Sequence, residues 1–310
     1  MKNEEAVQRF LDYEAQIRHL SPQTVVLYRY ACRHWVEFAR EHGITDLFWA
    51  HANVFIDWID RRRFVDQLND RTVERQFSAI RAFYDYVRIF HGMTSPILQL
   101  PALATQPAAE KDFLSVKEVR AMLRTCNGRD PANRRNHLII ALLWCTGLRS
   151  RELHSLNWAD IDLPNGMLLV RKGKGNKERQ LFLCDRLLTE LSRFRRSVLG
   201  SERTPLICGL YRSGARSPVD GRLSQNVLVS VVRDAAKAAG ITRKVSPMTL
   251  RHTFATHMYE VGVPIRDIKE MMGHDNKSET GIYIHITLDS MRDLLNRHAA
   301  TRWLKEGSSL

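Results

Sequence analysis

The sequence predicts a mainly α-helical protein with a small antiparallel β-sheet, divided into two domains. At 310 residues the chain exceeds the length at which single hydrophobic cores usually stop growing. Amphipathic helical patterns fill residues 4–91, whereas short strand patterns occur only between 158 and 183. A stretch with three prolines and no glycine separates these regions. We therefore expect a helical N-terminal domain at 1–95, a linker at 96–111 and a second domain at 112–310.

Capping residues mark the helix starts in the N-terminal region. Ser21 and Pro22 have the order of an N-cap and a first helical turn, and Asp70 marks another start. In the helix from about 70 to 90, one stripe is apolar and predicts a core face: Phe77, Ile80, Tyr84 and Val87. A second stripe is polar, and a solvated surface and a phosphate-contacting surface explain it about equally well: Arg71, Arg75, Ser78 and Arg81.

Three helices are predicted at the start of the second domain. Ser115 and Glu118 have capping-box spacing, which predicts a helix reaching about Thr125. A buried helix follows over 136–145 and stops at Gly147. The next helix begins near residue 150, with Arg149 at the junction.

Three short strands are predicted next, over 158–161, 167–171 and 178–183. The second and third flank a Gly-Lys-Gly-Asn turn that contains Lys174, which indicates an antiparallel hairpin. Helices resume near Cys184 and, after a loop at about 204–222, continue to the C-terminus.

The positive charge is concentrated in the second domain. The chain has 47 Lys and Arg against 34 Asp and Glu; residues 1–110 hold 13 and 14 of these, so residues 111–310 hold 34 and 20, a net +14. Such a surface favours a polyanion partner, because each cation set against a phosphate releases condensed counterions. Nucleic acid is the favoured partner, and a soluble basic protein is the alternative.

The same composition argues for a cytoplasmic protein without a membrane segment. The first ten residues are too acidic for a signal peptide, and the longest apolar run, 138–148, is too short to span a bilayer. The five cysteines contain no C-x-x-C pair, so we expect reduced thiols, mostly in cores: Cys32, Cys126, Cys145, Cys184 and Cys208.

The stretch SPMTLRHTFATH, residues 246–257, places an arginine and two histidines on one helix. Ser246 and Pro247 supply the cap and first turn. His252 and His257 point about 140° apart around a helix, whereas a zinc pair needs one face at i, i+4. A metal site is therefore disfavoured, and Arg251 lies within two turns of the helix start.

Five motifs follow one another along the chain: Thr146-Gly147-Leu148-Arg149 with Glu152; Gly173-Lys174-Gly175-Asn176-Lys177-Glu178-Arg179; Leu250-Arg251-His252; Met272-Gly273-His274; and Tyr283. Together, in this order, they resemble the tyrosine site-specific recombinases of the phage integrase family, and among them the Xer-like members. In the N-terminal region, residues 20–24 and 71–81 resemble the family's helical core-binding domain. The resemblance spans nearly the whole chain.

The resemblance implies an enzyme that breaks and rejoins double-stranded DNA through a 3′-phosphotyrosine, with no metal, ATP or other cofactor. Tyr283 would be the nucleophile, Arg149 and Arg251 would clamp the phosphate, Lys174 would protonate the leaving 5′-oxygen and His274 would hydrogen-bond the phosphate region. Strand exchange would pass through a Holliday junction in a homo- or hetero-tetramer. A C-terminal helix at about 288–304 is a candidate for docking on a neighbouring subunit, either a second copy or a partner recombinase, and packing on its own domain explains it equally well.

Two groups of residues are candidates for DNA binding beyond this set. One is the polar stripe of the helix at 70–90. The other is the set of basic residues of the hairpin: Lys172, Lys177 and Arg179.

Met248 departs from the family pattern, because the family usually has a histidine three residues before the second arginine. A thioether can neither take the tyrosine proton nor donate to phosphate. Three explanations compete: slower catalysis, replacement by a neighbour such as His252, or an accessory DNA-binding subunit that depends on a partner. A type IB topoisomerase is a further alternative, which the Xer-like motifs disfavour. The sequence predicts neither the recombination site nor the biological role among dimer resolution, integration, transposon resolution and inversion.

Overall fold

The structure, a computed structural model, describes residues 3–103, 113–128, 130–171, 178–197, 204–209 and 221–273. The chain divides into two compact units, Met1–Ala109 and Glu110–Leu310. Each unit has its own hydrophobic core. The predicted fold class, mainly helical with a small antiparallel sheet, is confirmed.

In the described residues of the first unit, four α-helices surround a core rich in aromatic side chains: α1 Asn3–Gln16, α2 Pro22–Glu41, α3 Ala52–Asp60 and α4 Asp70–His91. Trp35 and Tyr84 are buried, and the indole Nε1 donates to the Tyr84 hydroxyl at 3.1 Å. That hydroxyl in turn donates to the Leu47 carbonyl at 2.7 Å. Buried polar atoms of these aromatics are thus satisfied, as burial requires.

The predicted start and core face of α4 are confirmed. The side chain of Asn69 caps the helix by accepting from the Thr72 N–H at 2.9 Å, so Asp70 is the first helical residue. All members of the predicted apolar stripe are buried: Phe77, Ile80, Tyr84 and Val87. Ser21 caps α2, with Pro22 in its first turn, as predicted.

The predicted linker begins with a packed segment. Residues Pro96–Gln99 form a 3-10 helix, and Ile97 is fully buried in the core of the first unit. This segment packs because its apolar side chains gain free energy by burial in that core. Its prolines restrict the backbone but do not prevent packing. The packed part of the first unit therefore extends past residue 95.

Seven α-helices lie in the described part of the second unit: α5 Val116–Thr125, α6 Pro131–Thr146, α7 Ser150–Ser155, α8 Asp185–Ser197, α9 Gln225–Ala238, α10 Pro247–Glu260 and α11 Ile265–Met272. Helix α6 is the central one and contacts α8, α9 and α10. Ser115 and Glu118 form the predicted capping box of α5. Gly147 ends α6 in the left-handed region, with φ 63°.

The sheet has three antiparallel strands in chain order: β1 Ile161–Asp162, β2 Met167–Val170 and β3 Arg179–Phe182. In the register of the β2–β3 hairpin, Met167 faces Phe182 and Val170 faces Arg179. The predicted strand at 158–161 is wrong for its first three residues, which form a 3-10 turn. The carboxylate of Asp160 accepts from the Asn157 N–H at 2.8 Å, and this local bond competes with extended backbone.

Other predictions at this level concern cysteines, metals and membranes. All five cysteines are buried free thiols, as predicted. Within the described ranges, no cluster of three or more His, Cys, Asp or Glu side chains has metal-binding geometry. None of the described helices is both long and apolar enough to cross a bilayer.

Candidate active site

Two arginines from different helices meet at the C-terminal end of α11. Arg251 lies in α10 and is almost fully buried; its Nη1 donates to the Gly147 carbonyl at 2.6 Å and its Nη2 to the Met272 carbonyl at 2.5 Å. Arg149 lies at the start of α7, and its Nη2 donates to the Gly273 carbonyl at 2.9 Å. Arg149 and Arg251, which the resemblance pairs, therefore bind neighbouring carbonyls at the end of α11.

The turn between α6 and α7 explains why these side chains reach one place. Gly147 has the left-handed conformation that lets α6 stop and the chain reverse. A Cβ at this position would lie 2.4 Å from a ring carbon of Phe254, so α10 approaches the turn as closely as a glycine permits. Because of this approach, the Gly147 carbonyl accepts a hydrogen bond from Arg251. Arg149 follows Gly147 by two positions in the chain and so lies close to the same place.

Glu152 links the two arginines electrostatically. Its carboxylate is 3% exposed and accepts from the Arg149 backbone N–H at 2.8 Å and from Arg149 Nη1 at 2.8 Å. It also lies 3.8 Å from Arg251 Nη1. Burial raises the pKa of Glu152, but the bonds from Arg179 and Arg149 more than offset this, and the net pKa lies below the usual value. The group is therefore a carboxylate at neutral pH.

Arg251 carries its charge in an unfavourable setting. Burial lowers the pKa of Arg251 to about 10, and the nearby charge of Arg149 acts in the same direction, while Glu152 opposes the shift. The guanidinium stays protonated at neutral pH. A charge that is poorly solvated by water interacts strongly with an added anion, which is the property required of a phosphate clamp.

Arg179 is the third arginine of this cluster, and its location differs from the expected surface contact with DNA. Its side chain is 12% exposed and forms two parallel bonds to Glu152, Nη1 to Oε1 at 2.9 Å and Nη2 to Oε2 at 2.8 Å. The Nε atom donates to the Met271 carbonyl at 2.9 Å. A planar guanidinium can bind both oxygens of a buried carboxylate, which explains why this basic side chain is largely shielded from solvent.

The helix start that carries Arg251 is organised as predicted. Ser246 caps α10 through Thr249, and Pro247 occupies the first turn. Met248 is half-exposed at 52%, one turn before Arg251. His257 is buried, and its Nδ1 accepts from Trp144 Nε1 at 3.1 Å, so it links α10 to α6.

The polar stripe on α4 faces outward. Arg71, Arg75 and Ser78 are exposed, and Arg81 is half-buried. The Ser78 hydroxyl donates to Glu74 at 2.8 Å, within the same helix. The stripe is thus accessible to a large ligand such as DNA.

Five of the predicted site residues lie outside the described residues: Lys172, Lys174, Lys177, His274 and Tyr283. For Lys174 and His274, described residues nearby in the chain show where the segment that contains each one begins or ends. The hairpin that contains Lys174 leaves β2 after Val170 and enters β3 at Arg179. His274 directly follows Gly273, whose carbonyl accepts from Arg149.

Sequence reasoning did not identify Glu152 as part of the site. Its signal was its position three residues after Arg149, the spacing at which a carboxylate caps the start of a helix. That signal predicts the bond to the Arg149 backbone N–H. It does not predict the bonds to Arg179, which come from a distant strand.

Comparison with known proteins gives the same assignment across both units. The "Phage integrase family" profile matches residues 112–289, and the "Phage integrase, N-terminal SAM-like domain" profile matches residues 7–88. A protein named tyrosine recombinase XerC from Halalkalibacterium halodurans is 30% identical over 306 residues, covering 96% of this chain and 98% of the relative.

Two solved structures share the fold. The XerH recombinase bound to palindromic difH substrate has a TM-score of 0.68 at 19% identity, covering 98% of this chain and 94% of its own. A lambda integrase tetramer bound to a Holliday junction has a TM-score of 0.67 at 18% identity, covering 93% and 81%. With the family profile matching more than half of the chain, this protein belongs to the phage integrase family and is a site-specific tyrosine recombinase, an enzyme that breaks and rejoins DNA.

Proposed function

We propose that this recombinase cuts each DNA strand with Tyr283 and holds the scissile phosphate between Arg149 and Arg251. The phenol oxygen attacks phosphorus, the bond to the 5′-oxygen breaks, and a 3′-phosphotyrosine conserves the phosphodiester energy. Lys174 gives the departing 5′-oxygen its proton, and His274 donates a hydrogen bond to the phosphate region. The reaction needs no metal and no nucleotide cofactor.

The observation that carries this proposal is the meeting of two guanidiniums at the end of α11. Attack by the phenol adds negative charge to the nonbridging oxygens, and guanidiniums of fixed geometry stabilise that charge. Arg251 is held by Gly147 and Met272, and Arg149 by Glu152 and Gly273, so both groups are positioned before DNA arrives. Positioned charges cost little reorganisation during the reaction.

Met248 makes slow or regulated cleavage the favoured form of this activity. The residue leaves the phenol proton without the imidazole that the family pattern supplies, and losing a positioned acid or base costs roughly 10²- to 10⁴-fold in rate. Its 52% exposure gives an added imidazole, a water molecule or a partner subunit access to the same position. An accessory subunit that depends on a partner for cutting is the second candidate, and Met248 is the observation that favours it.

The finer assignments follow from the same proposal. The protein works in the cytoplasm on double-stranded DNA, as a homo- or hetero-tetramer that resolves a Holliday junction, the state in which the related lambda integrase was solved. Residues 288–304 contact the neighbouring subunit. Contacts to the DNA backbone come from the α4 stripe and from Lys172 and Lys177 of the hairpin.

A covalent-capture selection tests the proposal without knowing the site. The protein is incubated with a library of nicked duplexes. Each duplex carries a random sequence in one arm and its inverted repeat in the other. DNA that stays bound to protein in detergent is amplified and sequenced. We expect enrichment of one site, with an adduct that the Tyr283→Phe variant does not form. No adduct in any round, with the protein alone or with a second recombinase from the same cell, would contradict it.

A further inference from the structure

Arg179 is the third arginine beside Glu152, and it is neither of the two arginines proposed to hold the phosphate. It is the first residue of β3, and its three guanidinium nitrogens donate to Glu152 and to the Met271 carbonyl. Both oxygens of Glu152 are engaged by the two parallel bonds. Such a bidentate pair fixes direction as well as distance.

The charge balance at Glu152 depends on this pair. Three guanidiniums and one carboxylate converge, three positive charges and one negative, and these leave two positive charges for the phosphate. Without Arg179, two of the three arginines would remain beside the buried carboxylate, Arg149 at 2.8 Å and Arg251 at 3.8 Å. Both would then be drawn toward Glu152, and their charge would be less available to phosphate oxygens.

Arg179 also holds the last turn of α11. Three consecutive carbonyls of this turn accept from three different arginines: Met271 from Arg179, Met272 from Arg251 and Gly273 from Arg149. Cations suit this end of a helix, where carbonyl groups lack partners within the helix. A Cβ at Gly273 would lie 3.0 Å from Arg179 Nη1, so the turn rests directly against this guanidinium.

We propose that Arg179 is a positioning residue of the recombinase: it neutralises Glu152 and fixes the end of α11, and thereby keeps Arg149 and Arg251 available to the scissile phosphate. It also ties β3, which follows the hairpin containing Lys174, to the turn that precedes His274. Arg179 does not itself contact DNA. The inference rests on the proposed function, because it assigns Arg179 to the arrangement of that same site.

The test uses the full chain and the nicked duplex recovered by covalent capture, with Arg179→Gln, Arg179→Lys and the surface control Arg193→Gln. We expect Arg179→Gln to lower the single-turnover cleavage rate at least about 10-fold, while the dissociation constant and its salt dependence stay as in the wild type. The Arg179→Lys rate should lie closer to that of Arg179→Gln than to that of the wild type on a logarithmic scale, because an ammonium cannot form two parallel bonds. Arg193→Gln should cleave at the wild-type rate, since Arg193 is half-exposed on α8 and pairs with Glu190 of the same helix.

A double variant separates positioning from general damage. Arg179→Gln leaves a buried carboxylate without its partner, and Glu152→Gln together with Arg179→Gln removes that charge. We expect the double variant to cleave at least about threefold faster than Arg179→Gln alone. If Arg179→Gln does not fold, as judged by its thermal transition, the comparison of Arg179→Lys with Glu152→Gln/Arg179→Lys takes its place, with the same expected order.

Two results would overturn the inference. One is weaker binding by Arg179→Gln with a log–log salt slope reduced by about 0.9, which is the signature of a lost phosphate contact. The other is a cleavage rate unchanged in both single variants. Failure of the proposed function gives a different result, because the wild type would then form no adduct or Tyr283→Phe would retain it.

Discussion

Glu152 lies beside all three arginines of the cluster. Like charges at close range repel, and the carboxylate between Arg149, Arg179 and Arg251 offsets that repulsion in a region with little water. The arrangement keeps Arg251 protonated although burial lowers its pKa to about 10. A clamp built this way is charged before its ligand arrives.

Met248 offers a direct gain-of-function prediction. Met248→His restores an imidazole one turn before Arg251, at a position exposed enough to accept it without repacking the core. We expect the single-turnover cleavage rate to rise at least about tenfold, because a positioned acid or base contributes roughly 10²- to 10⁴-fold. The rate is measured on the captured duplex under enzyme excess.

The matched control for this prediction is Tyr259→His. It adds an imidazole at an exposed position near the C-terminal end of α10 and should leave the rate unchanged. A Met248→His rate equal to or below that of the wild type would show that another group performs the task.

His257 makes the stability of the second unit pH-dependent. Burial lowers its pKa below 6.5, so protons bind more tightly to the unfolded chain than to the folded protein. Stability is therefore complete above pH 6.5 and declines as the pH falls from there toward the folded pKa. His257→Gln keeps an acceptor for Trp144 and removes this titration.

Urea unfolding at pH 7.5 and pH 5.5 measures that contribution. The variant should lose less free energy of unfolding between the two pH values than the wild type. Other histidines with lowered pKa contribute equally to both proteins: His34, His137 and His154. Equal losses in the two proteins would mean that His257 does not titrate differently on folding.

The sequence predicted Arg149 and Arg251 because motif order locates them. It predicted Arg179 as a DNA contact but not its bonds to Glu152. A basic residue beside a hairpin turn is typical of a DNA contact, and the sequence does not reveal that a buried carboxylate lies opposite it. The burial of a charge depends on tertiary contacts between distant segments, in this case β3, α7 and the end of α11. A local sequence pattern does not contain these tertiary contacts.

At the scale of elements, the turn between α6 and α7 is the most constrained connection near the site. We expect Gly147→Ala to destabilise the protein by about 1–2 kcal/mol for its left-handed backbone and by a further 1–3 kcal/mol for overpacking against Phe254. The shift should also move the Gly147 carbonyl away from Arg251 and lower the cleavage rate. Chemical denaturation and single-turnover cleavage measure the two effects.

Gly240→Ala is the matched control. Gly240 has φ +77° and open space around a Cβ, so it carries the backbone cost alone. It should lose less stability than Gly147→Ala and retain the wild-type cleavage rate. Equal stability losses in both variants would contradict the close approach of α10 to this turn.

Element boundaries were predictable where capping chemistry fixed them and were less so elsewhere. Ser21, Ser115 and Ser246 cap α2, α5 and α10 as their side chains predict. The pattern at 158–161 predicted a strand, and the bond from Asn157 to Asp160 turns the chain instead. Four residues are too few for the pattern of apolar side chains to distinguish a strand from such a turn.

At the scale of the whole molecule, the uneven charge predicts binding that depends strongly on salt. The net charge is +13, with the excess in residues 111–310. If six or more phosphates are contacted, the affinity should fall roughly 10³-fold or more between 50 and 200 mM NaCl. The dissociation constant for the captured duplex, measured across this range, gives the slope.

The α4 stripe should contribute to this slope. Arg71→Gln and Arg75→Gln should each lower it by about 0.9 if the side chain neutralises one phosphate. Arg33→Gln is the control, because Arg33 is highly exposed on α2 of the same unit and pairs with Glu37. Slopes equal to the wild type in both stripe variants would assign this face to solvent.

In the proposed mechanism Arg149 and Arg251 act on the negative charge of the scissile phosphate, and a methylphosphonate substrate separates this role from a purely structural one. Replacing one nonbridging oxygen with a methyl group removes the charge that the clamp stabilises. We predict that Arg149→Ala and Arg251→Ala lose at least about 100-fold in cleavage rate on the ordinary phosphate and recover most of it on the methylphosphonate. Equal losses on the two substrates would contradict the claim.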